Sequence, residues 1–195
     1  MRPQELDACW SRVIGEAPPI PYSLRDLCQS RWVRFHALPD ARRYAASPAD
    51  TDEILRRHNA LLDHLARRAP RVFLVTTAYS DDRSVAARAS QLCALDPSAQ
   101  PWRVLPMHAL ADHSEVPNFW HLFASEWTWR PGIFDEILRL VADDEVANVL
   151  WLFDGAGCVY HPYDGGADVV LSSTAARDEI RAAYASWLSA RRDGL

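Results

Sequence analysis

The chain has 195 residues, 49% of them hydrophobic, with eight Trp; its 21 basic side chains are all Arg, and 26 acids leave a net charge of -5. That length and apolar content suffice for one domain over 1–195 with a sizeable core, and they exclude disorder as the main state. No run approaches the roughly 18 apolar residues of a membrane span, and the opening MRPQELDACW lacks the apolar stretch of a signal peptide, so a cytoplasmic protein with no membrane partner is expected.

The spacing of Leu6, Trp10, Val13 and Ile14, with Pro3 early and Gly15 just past the end, predicts a helix over 3–14. EAPPIPY (16–22) reads as extended, because each Pro disfavours helix in the residue before it. A short helix at 23–29 and a strand over 32–38, ended by Pro39 and Asp40, come next. Asp50 as N-cap, Glu53, and Ile54, Leu55, Leu61, Leu62 and Leu65 at helical spacing predict a helix to about residue 68. VFLVTTA (72–78) has the continuous apolar pattern of a central strand covered on both faces.

Residues 80–100 form a polar excursion with a helix at 85–93, followed by a weak strand at 102–105 and a stronger one at 119–127. Pro131 in first-turn position opens another helix, through Ile133 to Val141. Strands at 146–153, 158–163 and 167–171, joined at Asp154-Gly155 and Asp164-Gly165-Gly166, make a three-stranded meander, with a bulge or an interrupted ladder expected at Pro162. Ser173 or Thr174 caps a last helix with Ile180, Tyr184, Trp187 and Leu188 on one face. The expected class is α+β, a mostly antiparallel sheet with packed helices.

Several chemistries are excluded by residue type. Without Lys there is no Schiff-base, Ser-Lys or Walker lysine, and neither GxxxxGK[ST] nor GxGxxG occurs. Cys9, Cys28, Cys93 and Cys158 form no CxxC, which argues against a zinc ribbon and for free thiols. No GxSxG elbow is present, and no cofactor is implied. His108 and His113 are five apart in a Pro-flanked stretch, not at helical ligand spacing. His58 and His64 read as helix-surface or capping residues.

The segment Tyr160 to Asp168 gathers an imidazole, two phenols and two carboxylates around a glycine turn. It reads either as a plain turn or as an acid–base or metal loop with His161, Asp164 and Asp168 as candidates. Cys158 and His161, three apart on one strand, point to opposite faces unless the chain bends. Glu126 reads as a buried carboxylate paired with Arg130 or an Arg of 31–43, or as a catalytic group.

Charge is unevenly distributed. Residues 31–71 hold nine Arg against five acids (+4), and residues 112–168 hold eleven acids against two Arg (-9). Trp32 between Arg31 and Arg34, and Trp129 beside Arg130, could stack bases, yet the confined basic excess argues against nucleic acid as a partner. The acidic block either pairs internally with the Arg-rich segment or offers a face to a basic protein, with Asp135, Glu136, Asp143, Asp144 and Glu145 the densest cluster.

RFHALP (34–39), RRY (42–44), RRHNALL (56–62), WRPG (129–132), DEVANVL (144–150), HPYDGGADV (161–169) and the terminal WLSARRDGL resemble the layout of a family of bacterial hypothetical proteins of about this length, over most of the chain. The resemblance implies no activity, cofactor or site residue. The functional expectation is a non-catalytic protein-binding module with an acidic recognition face, in the manner of an immunity or antitoxin partner of a basic toxin. The alternative is a hydrolase or metal-dependent phosphoester enzyme around His161, Asp164 and Asp168.

Overall fold

The computed structural model describes residues 2–84, 86–107 and 118–191. In chain order the elements are α1 (Pro3–Val13), α2 (Pro21–Leu27), β1 (Trp32–His36), α3 (Pro48–Ala66), β2 (Arg71–Ser80), α4 (Ser90–Leu95), β3 (Gln100–Pro106), β4 (Phe119–Thr128), α5 (Asp135–Ala142), β5 (Leu150–Phe153), β6 (Cys158–Tyr163), β7 (Gly166–Val170) and α6 (Thr174–Ala183). The strands form one sheet in the order β1-β7-β6-β5-β2-β4-β3, every neighbouring pair antiparallel. The α+β class and the C-terminal meander are as the sequence predicts.

Period-two alternation divides the strands between two cores. On β2, Val72 and Leu74 join α3, α5 and α6 on one face, while Phe73 and Val75 join α1 and Leu24 of α2 on the other. This double covering explains the continuous apolar run of that strand.

Several boundaries differ from expectation for identifiable reasons. Ser47, not Asp50, caps α3, its hydroxyl accepting from the Asp50 N–H, because Pro48 takes the first helical position. Pro131 opens a turn rather than α5, since Gly132 sits at φ +78° and the helix starts only at Asp135. β5 begins at Leu150 rather than 146 because Asp144 (φ 57°) and Asn148 (φ 58°) are left-handed, not extended. Pro162 makes no bulge and sits instead where the ladder is interrupted on one side, the other of the two expected outcomes. It pairs in register with Ala167, and β6 has already lost its β5 partner beyond Tyr160. Of the two candidate caps for α6, Ser173 serves, accepting from the Ala176 N–H. The expected helix at 85–93 is observed as α4, five residues further along at its start.

Gly166 is fixed by close approach. A Cβ there would lie 2.0 Å from the Phe35 carbonyl oxygen on β1, so the β1–β7 pairing requires glycine. That pairing carries the candidate site.

Candidate functional site

Arg34 of β1, Asp168 of β7 and His161 of β6 occupy one row across the sheet, Arg34 opposite Asp168 and Asp168 opposite His161. Strand alternation puts them on the α1 face, one step beyond Trp32, Val159 and Val170 of that core. Arg34 grips Asp168 at two points, Nε to Oδ1 at 2.7 Å and Nη2 to Oδ2 at 2.9 Å. Its guanidinium also lies 4.8 Å from the Tyr163 ring centre and 5.5 Å from that of Trp32. Burial opposes the charge on Arg34 and the Asp168 carboxylate outweighs it, so its pKa stands above the ordinary value.

His161 is 9% exposed, and its Nδ1 finds no partner among the described residues. Burial lowers its pKa to about 4 against the partial support of Asp168, so the imidazole is neutral at pH 7. Its ring lies 6.4 Å from that of Tyr163, whose phenol burial raises well above its usual range. Two further buried donors on this face, Nε1 of Trp32 and Nε1 of Trp120, also lack partners among the described residues. The row therefore combines a neutralised cation and a neutral imidazole, with the unpaired Trp32 indole donor one step away on β1.

The remaining candidates do not converge on His161. Asp164, in the β6–β7 turn, accepts from Tyr44 Oη at 3.0 Å and pairs with Arg43 at 3.3 Å. Cys158 faces the α3 core, across the sheet from His161, and burial raises its thiol far above the usual range. Glu126 is an exposed residue, not a buried one. Its partner is Arg71 (2.8 Å), not Arg130 or an Arg of 31–43, because β2 and β4 run antiparallel with their Arg71 and Thr128 ends together. Arg71 also pairs with Glu5, and its bonds hold the Glu126 carboxyl below its ordinary value.

His58 is not a surface residue. It is buried, and its Nδ1 meets Tyr160 Oη at 2.5 Å beneath the opposite sheet face. His121 is buried, with Nε2 3.0 Å from the Asp82 carbonyl. His108 and His113 lie outside the described residues. Among the described residues no group of three or more His, Cys, Asp or Glu side chains is disposed to hold a metal ion.

In the acidic cluster, Asp135 accepts from Asn59 Nδ2 at 2.7 Å and Glu136 pairs with Arg139. Asp143, Asp144 and Glu145 are exposed, and Gln91 donates to Glu145 at 3.4 Å. None of the three forms an ion pair among the described residues. Three residues on, Asn148 donates to Tyr79 Oη at 2.5 Å. Tyr79 (47% exposed) and Tyr22 (48% exposed) both stand edge-on against buried Trp120, at 4.9 and 5.9 Å between ring centres.

Sequence reasoning did not join Arg34 and Trp32 to the His161, Tyr163 and Asp168 segment. The available signal was the two-residue spacing that puts Trp32 with Arg34, and His161 with Tyr163, on common strand faces.

These features define an α+β protein on one antiparallel sheet, with an Arg–Asp pair joining edge strand β1 to its neighbour β7. The family model of the domain of unknown function DUF3885 matches residues 20–192, and the chain belongs to that family. No curated protein and no solved structure matches it. Among the described residues no helix is long and apolar enough to cross a membrane.

Proposed function

We propose that the chain is a non-catalytic protein-binding module for a basic partner, of the kind that neutralises a basic toxin, and that it acts in the cytoplasm. The observation that carries this reading is the pair of half-exposed tyrosines on Trp120, tied through Asn148 to the segment bearing Asp143, Asp144 and Glu145. Rigid aromatic anchors beside unneutralised charge have the make-up of an interface hot spot, the rings supplying buried area and the carboxylates steering a cationic partner. The other acids of the block support the reading by contrast. Asp168, Asp164, Glu126, Glu136 and Asp154 are matched by Arg34, Arg43, Arg71, Arg139 and Arg12, and Asn59 holds Asp135, so among the described residues of the block the charge left for a partner is concentrated on residues 143–145.

Site-specific photocrosslinking decides. A benzophenone side chain at position 79 in the producing cell captures a basic protein, identified by mass spectrometry, and the adduct disappears when Asp143, Asp144 and Glu145 are all changed to Arg. An adduct pattern unchanged by that reversal, or the same as from a probe at Gln29 on the opposite end of the molecule, sinks the proposal. The enzymatic alternative draws on the unpartnered Nδ1 of His161 alone, since Asp164 is held by Tyr44 and Arg43 and both oxygens of Asp168 are held by Arg34.

A further inference from the structure

The end of the sheet away from Tyr79 gathers arginines around a cavity. β2 starts and β5 ends there, and a cavity of about 360 Å³ opens beside the Asp154–Gly157 turn, bordered by Arg12, Arg31, Arg68 and Ser172. Arg12 pairs with Asp154. Arg31 is held by neutral acceptors, the Val13 carbonyl at 3.1 Å and the Leu171 carbonyl at 3.0 Å. Those bonds fix its position without cancelling its charge. Arg68, exposed at the end of α3, forms no ion pair, and neither does Arg31, among the described residues.

Two guanidiniums without counter-charges thus meet in one cavity of a chain whose net charge is -5. The turn beside them is glycine-rich. Gly157 is left-handed at φ +63°, which favours glycine, and a Cβ on Gly155 would come within 2.3 Å of that of Ala69, so Gly155 packs as bare backbone. Ser172 adds a hydroxyl.

We propose that this cavity is an anion site for a phosphate group, either free inorganic phosphate or the terminal group of a small phosphomonoester. The guanidinium fork matches two phosphate oxygens at once, and the dianion satisfies both uncompensated charges. Arg31 is the preset contact, Arg68 the mobile one, and Asp154 the internal competitor, since an entering phosphate meets its repulsion and shares Arg12 with it. This site lies at the other end of the sheet from the protein-binding surface proposed above and does not depend on it.

Isothermal titration of the full chain at low ionic strength, with inorganic phosphate, glycerol 3-phosphate and glycerol, tests the assignment. Saturable binding of one or both phosphates and none of glycerol is expected. Arg68→Gln, at an exposed side chain outside the core, weakens phosphate about tenfold with unchanged thermal melting, the loss of one charge-assisted contact. Asp154→Asn tightens it by removing the repulsion. Tighter binding of glycerol 3-phosphate than of phosphate identifies an ester as the ligand, and equal or weaker binding identifies the free ion. Absence of saturable phosphate binding to the wild-type chain, undiminished affinity in Arg68→Gln, or weaker binding in Asp154→Asn overturns the proposal.

Discussion

Arg34 and Asp168 clasp each other across the β1–β7 pair through two parallel hydrogen bonds, and the sheet's edge strand is thereby tied to the meander by a half-buried ion pair. Their side chains are 17% and 8% exposed, so removing one partner strands the other in a poorly solvated place. Asp168→Ala is expected to cost about 3 kcal/mol of stability. The double variant Arg34→Met with Asp168→Leu, which strands no charge, should recover more than half of that loss. Urea unfolding of the wild type, the single variants and the double variant measures both. A double variant whose cost equals the sum of the two single costs would mean that the pair is not coupled.

Stability should fall between about pH 6.5 and pH 4 through two histidines. Burial lowers the pKa of His58 and of His161 to about 4 in the folded chain, against 6.5 ordinarily. In that interval the unfolded chain binds protons that the folded one refuses, so acidification favours unfolding. Above it these groups contribute no slope. The loss approaches about 3 kcal/mol for each residue at the lower end. Urea midpoints at pH 7, 5.5 and 4.5 register it, and His161→Gln should flatten the dependence by roughly half. A slope unchanged by that substitution would show that His161 does not titrate as its burial implies. Glu126 and Glu53, lowered by their Arg partners, add their own loss at more acidic pH, as each becomes protonated.

Tyr160→Phe removes one hydroxyl and leaves Nδ1 of buried His58 without its partner. An unsatisfied buried polar atom costs about 1–3 kcal/mol. Adding His58→Leu, which removes the orphaned nitrogen, should restore part of that stability in the same denaturation experiment. Further loss in the double variant would locate the cost in packing rather than in the hydrogen bond.

Gly166→Ala should destabilise although it adds a single methyl group, because the new Cβ would sit 2.0 Å from the Phe35 carbonyl oxygen and backbone must move to admit it. Overpacking of this kind costs about 1–3 kcal/mol. Hydrogen exchange localises the effect. Amides of β1 and β7 should lose protection while those of β2 and β4 keep theirs, and uniform loss across the sheet would contradict a local clash.

Local signals fixed by one element at a time were legible in the sequence. The period-two and period-3.6 patterns located the helices and strands, and the two Asp-Gly sites marked the hairpins of the meander. The opposed faces of Cys158 and His161 also followed from strand geometry alone. Boundaries failed where one backbone angle intervened, as at Gly132, Asp144 and Asn148. Hydropathy does not register a left-handed φ.

What chain order alone determined was therefore the class of fold and the total of its charges. Which acid meets which arginine was decided by strand order: β1 reaches Asp168 only because the last strand inserts beside it, and Arg71 reaches Glu126 only because β2 and β4 pair end to end. The same topology set Arg34, Arg43 and Arg71 of the Arg-rich segment against Asp168, Asp164 and Glu126 while leaving Asp143, Asp144 and Glu145 unpaired among the described residues. The physical reason is range. Periodicity and turn chemistry act over a few neighbouring residues, whereas ion pairing acts over a few ångströms between residues 134 apart in sequence, such as Arg34 and Asp168, and only the assembled sheet sets that distance.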